Sequence, residues 1–92
     1  MITRVIVTKE AYKDLRLVPF FIVDKFDTWI QSVHEIGIVE VRKIPGYHDE
    51  PLLGKRKGFR SIRLSRSYRA IYKTSDEFVE LIVVCEVNKH VY

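Results

Sequence analysis

The chain has 92 residues, enough for one domain spanning 1–92, and by size scaling it buries only roughly 60–65% of its surface in a single core. Its 47% hydrophobic and 30% charged residues, with 4 Gly and 3 Pro, are a globular composition that excludes extensive disorder. The lone cysteine, Cys85, excludes an internal disulfide, and no apolar run approaches the roughly 20 residues of a membrane helix.

Met1–Val7 is too short and too soon interrupted to read as a signal peptide, so the expected setting is cytoplasmic, with no membrane partner. Val5 and Val7 alternate with Arg4 and Ile6, which predicts a strand over 2–7. Thr8 is a candidate cap for a short helix carrying Tyr12 and Leu15 on one face, interrupted by Pro19. Ile22, Phe26, Trp29, Ile30 and Val33 recur at three and four residues, predicting a helix from Phe20 to Ile36 with an apolar core stripe and Gly37 as its stop. Residues 38–44 fit a strand or a helical turn, and we favour the helix. Pro45-Gly46 opens a loop.

From Gly58 the period becomes two. Ile62 and Leu64 alternate with Ser61, Arg63 and Ser65. Over 67–73, Tyr68, Ala70 and Tyr72 take one face, and Arg69, Ile71 and Lys73 the other. Residues 74–77 read as a hairpin connection, and 78–87 as a central strand in which Cys85 is a buried, inert thiol. The order β-α-α-β-β-β implies an α+β fold: an antiparallel sheet with an N-terminal helical pair packed against it.

The charge is unevenly spread. Residues 1–50 hold seven basic and eight acidic side chains, whereas 51–75 hold eight basic ones (Lys55, Arg56, Lys57, Arg60, Arg63, Arg66, Arg69, Lys73) and no acid. A solvated face is one reading. An anionic partner that relieves the repulsion is the one we favour. Tyr47, Phe59, Tyr68, Tyr72 and Tyr92 are interleaved with the cations, and cations on phosphates with rings under bases suit single-stranded RNA; taken singly, each tyrosine except Tyr92 is better read as core. Gly54-Lys55 lacks the rest of a phosphate-binding loop, and His34, His48 and His90 share no metal-ligand spacing. Neither a cofactor nor a metal is therefore expected. Arg, Lys, Glu, His and Tyr suit cleavage of RNA, whose 2′-OH is its own nucleophile.

Three stretches carry a resemblance: Glu50-Pro51-Leu52-Leu53-Gly54, the run from Arg60 through Arg63, Arg66 and Tyr68-Arg69 to Tyr72, and the ending from Glu86 to Lys89-His90-Val91-Tyr92. Together they resemble the RelE/ParE toxin superfamily, most closely its RelE, YoeB and HigB branch. The resemblance implies the toxin of a type II toxin-antitoxin system: a metal-independent endoribonuclease that cuts mRNA in the 30S decoding site of the ribosome, blocked by a cognate antitoxin. It implies Glu50 as general base, Arg69 on the scissile phosphate, His90 as general acid and Tyr92 as the aromatic that orients the nucleotide. It also implies RNA or ribosome contacts at Lys55, Arg56, Lys57, Arg60, Arg63, Arg66 and Lys89. YoeB-like chains end His-Tyr, whereas Val91 intervenes here; an unbroken strand register would keep His90 and Tyr92 on one face. A solvated loop is the alternative for Glu50, and an idle surface position for His90. At the level of the whole chain, the alternatives are a gyrase-inhibiting ParE-type toxin or a non-catalytic RNA- or ribosome-binding module.

Overall fold

Apolar periodicity sorts the chain into one helical layer and one sheet in the computed structural model, which describes residues 4–74 and 81–89. Strand β1 (Arg4–Val7) leads into α1 (Lys9–Leu15), whose start is fixed by Thr8: its side-chain oxygen accepts the Ala11 amide at 3.1 Å. Helix α2 (Phe20–Ile36) begins after Pro19, which suits a position where no amide bond is needed, and stops at Gly37, whose φ of 82° is one that glycine adopts freely. The single turn α3 (Ile38–Val41) realises the helical reading of that segment.

The sheet comprises β1, β2 (Glu50–Pro51), β3 (Arg60–Arg63), β4 (Tyr68–Thr74) and β5 (Leu81–Lys89), in the order β1-β5-β4-β3-β2. The expected antiparallel sheet runs from β2 to β5, and β1 joins the far edge parallel to β5. The helical layer is the crossover that a parallel pair requires. The β5 strand is interior, as its apolar run suggests. The β2 strand is an addition to the expected order, in which the residues after Pro45-Gly46 read as loop. Proline is tolerated on an edge strand, and the pairing continues through the Leu52 amide to Phe59 O at 2.9 Å. The expected hairpin over 74–77 falls largely, and His90 and Tyr92 wholly, outside the described residues, as does the Cys85 side chain.

The core lies between the helices and one face of the sheet. Ile22, Phe26, Trp29 and Val33 of α2 are buried against Ile62, Leu64, Ala70, Tyr72, Val84 and Val87, with Ile38 and Val41 closing one end. Trp29 sits 5.3 Å from the Tyr72 ring and 6.2 Å from Phe26, centroid to centroid. In α1 it is Ala11 that is fully buried, while Tyr12 is exposed. Helices cover only one side of the sheet, so the alternate side chains of β3 and β4 stand on an outer face.

Truncating Phe26 removes the ring that packs on the sole tryptophan. Phe26→Ala should cost about 3–5 kcal/mol, lowering the urea midpoint followed by Trp29 fluorescence.

Candidate active site

The outer face is built row by row from strand register. Glu50 on β2 lies opposite Ser61 on β3, Ser61 opposite Ile71 on β4, and Ile71 opposite Glu86 on β5. In the adjoining row, Arg63 lies opposite Arg69, and Arg69 opposite Asn88. Like charges directly opposite one another on neighbouring strands are destabilising.

These rows meet in a cleft of about 40 Å³ lined by His48, Glu50, Ser61, Arg63, Ser65, Arg66, Tyr68 and Arg69. Glu50 and Arg69, the proposed base and phosphate contact, therefore share one concave site although 19 positions separate them in the chain. The Nε of Arg69 is buried, with no hydrogen-bond partner among the described residues. Such an orphaned donor costs about 1–3 kcal/mol while it stays unpaired. The cleft thus joins an exposed carboxylate to a cationic wall with an unsatisfied donor, an arrangement suited to a small anionic group with an acidic proton close by.

The remaining expected contacts divide. Lys55 and Lys57 are exposed around the turn that follows β2, and Lys89 is exposed at the end of β5, opposite Tyr68. Arg56 crosses the outer face to pair with Glu86, which also accepts a bond from Asn88 at 3.1 Å. Beside that pair lies a second cleft, of about 280 Å³, walled by Arg56, Phe59, Ile71 and Glu86, with the Lys73 ammonium 5.3 Å from the Phe59 ring.

Arg60 stands apart from the cations of the outer face. It has the parity of Ile62, not of Arg63, and so lies on the helix side of β3, where its Nε donates to Asp49 Oδ1 at 2.5 Å. The Asp49 side chain is 1% exposed, and its other oxygen accepts the Tyr72 hydroxyl at 2.5 Å. That hydroxyl in turn accepts Arg42 Nε at 3.1 Å. Burial draws the Arg60 guanidinium pKa down, but the hydrogen bond and charge of Asp49 outweigh it and leave the value raised. Burial, then the Asp49 bond, push the Tyr72 hydroxyl well above the ordinary tyrosine range, so it remains a donor.

His48 and Asp49 were not singled out from sequence. The signal for His48 was its place two residues before Glu50. For Asp49 there was none, because its partners lie 11 and 23 residues away.

No protein-family model and no curated protein sequence matches the chain. Solved structures do. The Escherichia coli DinJ-YafQ toxin-antitoxin complex aligns at TM-score 0.74 with 19% identity, over 98% of this chain and 94% of that one. The archaeal RelE-RelB complex from Pyrococcus horikoshii gives 0.73 and 20%, over 97% and 96%. The YoeB/ParE toxin from Agrobacterium tumefaciens gives 0.70 and 19%, over 97% and 100%. The chain has the RelE-like toxin fold.

The Tyr72 shift has a signed consequence. An unfolded tyrosine ionises near pH 10, and the folded one above it, so the stability this group contributes is intact below about pH 10 and is lost as pH rises towards the folded value. The urea midpoint of the native protein should fall more steeply between about pH 10 and pH 12 than that of Tyr72→Phe, which is less stable at neutral pH.

Proposed function

We propose that the protein is the toxin of a type II toxin-antitoxin system and cuts mRNA on the ribosome by attack of the RNA 2′-OH on the adjacent phosphate. The observation that carries this reading is the cleft in which exposed Glu50 faces the opposed pair Arg63 and Arg69, with Arg69 Nε buried and without a partner among the described residues. A carboxylate is already a base at neutral pH, so Glu50 takes the 2′-OH proton. An arginine does not give up its proton, so Arg69, with Arg63 beside it, stabilises charge developing on the phosphate. His90 protonates the departing 5′-oxygen and Tyr92 orients the nucleotide; both assignments rest on the sequence resemblance, which also supplies the ribosome and its 30S decoding site as the place of action. The products are a 2′,3′-cyclic phosphate and a 5′-hydroxyl.

RNA and ribosome contacts fall to Lys55, Arg56, Lys57, Arg63, Arg66 and Lys89. Arg60 is assigned instead to support of the site, since its Nε is bonded to buried Asp49. A cognate antitoxin covers or displaces the basic face in the resting complex. Two structures of this fold are complexes, the DinJ-YafQ toxin-antitoxin complex and the RelE-RelB complex, which supports that partner class.

A message carrying 2′-deoxyribose at the cut site decides the chemistry: it should resist cleavage on programmed ribosomes, and cleavage at the normal rate would remove the mechanism. Arg69→Ala should abolish growth arrest, and EDTA at concentrations that leave ribosomes intact should not slow cleavage. With about four to six phosphate contacts, affinity for single-stranded RNA should fall with salt at a log–log slope of roughly −3 to −4. Arg63→Ser should flatten that slope by about 0.7. Arg60→Ser should leave it unchanged while lowering the melting temperature.

A further inference from the structure

We propose that Asp49 is a positioning residue, a buried anchor that sets the place of Glu50 in the cleft. The proposal rests on the reading of Glu50 as the base and adds to it the device that holds that base still.

The segment carrying Glu50 has little else to hold it. Strand β2 is two residues long, lies at the sheet edge and contains a proline, which has no amide to donate. His48, just before Asp49, has a φ of 45°, a left-handed conformation that non-glycine residues keep only where the surroundings over-determine it. The Asp49 side chain, 1% exposed, supplies that determination. It is bonded at 2.5 Å to Arg60 on β3 and at 2.5 Å to Tyr72 on β4, two residues that are themselves register partners. Tyr72 is locked in turn: it is fully buried, lies against Trp29 at 5.3 Å, and its hydroxyl accepts Arg42 Nε. Successive side chains of an extended segment point to opposite faces. Fixing residue 49 on the helix side therefore fixes residue 50 on the outer face, opposite Ser61 and at the cleft that holds Arg63 and Arg69.

This differs from a salt bridge that merely stabilises the fold. A positioning anchor acts on the rate through Glu50, so its effect must vanish once Glu50 no longer works as a base. A stabilising bridge acts whatever residue 50 is.

A double-mutant cycle separates the two, read as single-turnover cleavage on programmed ribosomes together with RNA affinity and its salt slope. Tyr72→Phe keeps the ring and removes one of the two bonds to Asp49; Asp49→Asn removes the charge, and if that variant does not fold, the Tyr72→Phe arm alone decides. Each should slow cleavage roughly 10- to 100-fold with affinity and slope unchanged. In the Glu50→Gln background, already slowed about 10²- to 10⁴-fold, Tyr72→Phe should add little. An equal factor in both backgrounds, or no loss with Tyr72→Phe in the native background, overturns the positioning role while the base assignment stands. If Glu50→Gln alone cleaves at the native rate, the base assignment fails and takes this proposal with it.

Discussion

Strict side-chain alternation on β3 and β4 is the constraint on which the rest of the molecule depends. Ile62, Ala70 and Tyr72 are buried because each takes the helix-facing parity, and Arg63 and Arg69 stand on the outer face because each takes the other. A slip of one residue would reverse every assignment, driving two arginines under Trp29 and two large apolar groups into solvent. One face of the sheet is thus committed to α2, and the other is left free for a cationic cleft without any separate structural provision.

The cost of that cleft is electrostatic, and the fold meets it unevenly. Arg56 is paired with Glu86 on the outer face, an exposed contact of a kind that contributes about 0–1 kcal/mol and can exchange. Arg60 is paired with a nearly inaccessible carboxylate, where removing one partner would strand the other charge, so that pair is permanent. Arg63 and Arg69 are set against each other, with one buried nitrogen unsatisfied. The stability given up there is preorganisation: the donors already stand where an anion would sit, and little rearrangement is needed when charge arrives.

How far the sequence discloses this depends on the range of each interaction. Helix α2, the two faces of β4 and the interior place of β5 follow from periodicities of 3.6 and 2, which are local. The parity of Arg60 is equally local, since counting 60, 62, 64 puts it with the core residues; the RNA contact expected of it came with the resemblance. In α1 the apolar spacing of Tyr12 and Leu15 does not mark Ala11, the residue that is fully buried there. No periodicity marks Glu50, which came from the resemblance, and none marks Asp49, whose buried role depends on a tyrosine 23 residues away. Pairing at that distance becomes visible only once the strands are in register.

The register itself breaks once, and the break serves the cleft. Between β4 and β5 it shifts after Ile71, so that Ile71 faces Glu86 while Tyr72 faces Val84, leaving one β5 residue unmatched. A bulge of this kind changes parity, which is why Val84 and Val87, three apart, are both buried in the core. Beyond the bulge, Asp14 of α1 accepts the Val87 amide at 3.2 Å, binding the helical layer to the far half of β5. Without the shift, β5 residues before and after it could not satisfy the core and the outer face together: the parity that buries Val84 would bury Glu86 and turn Val87 outward. The bulge lets one strand reach the hydrophobic core on both sides of it, through Val84 and Val87, and stand beside Arg69 at its end, through Asn88.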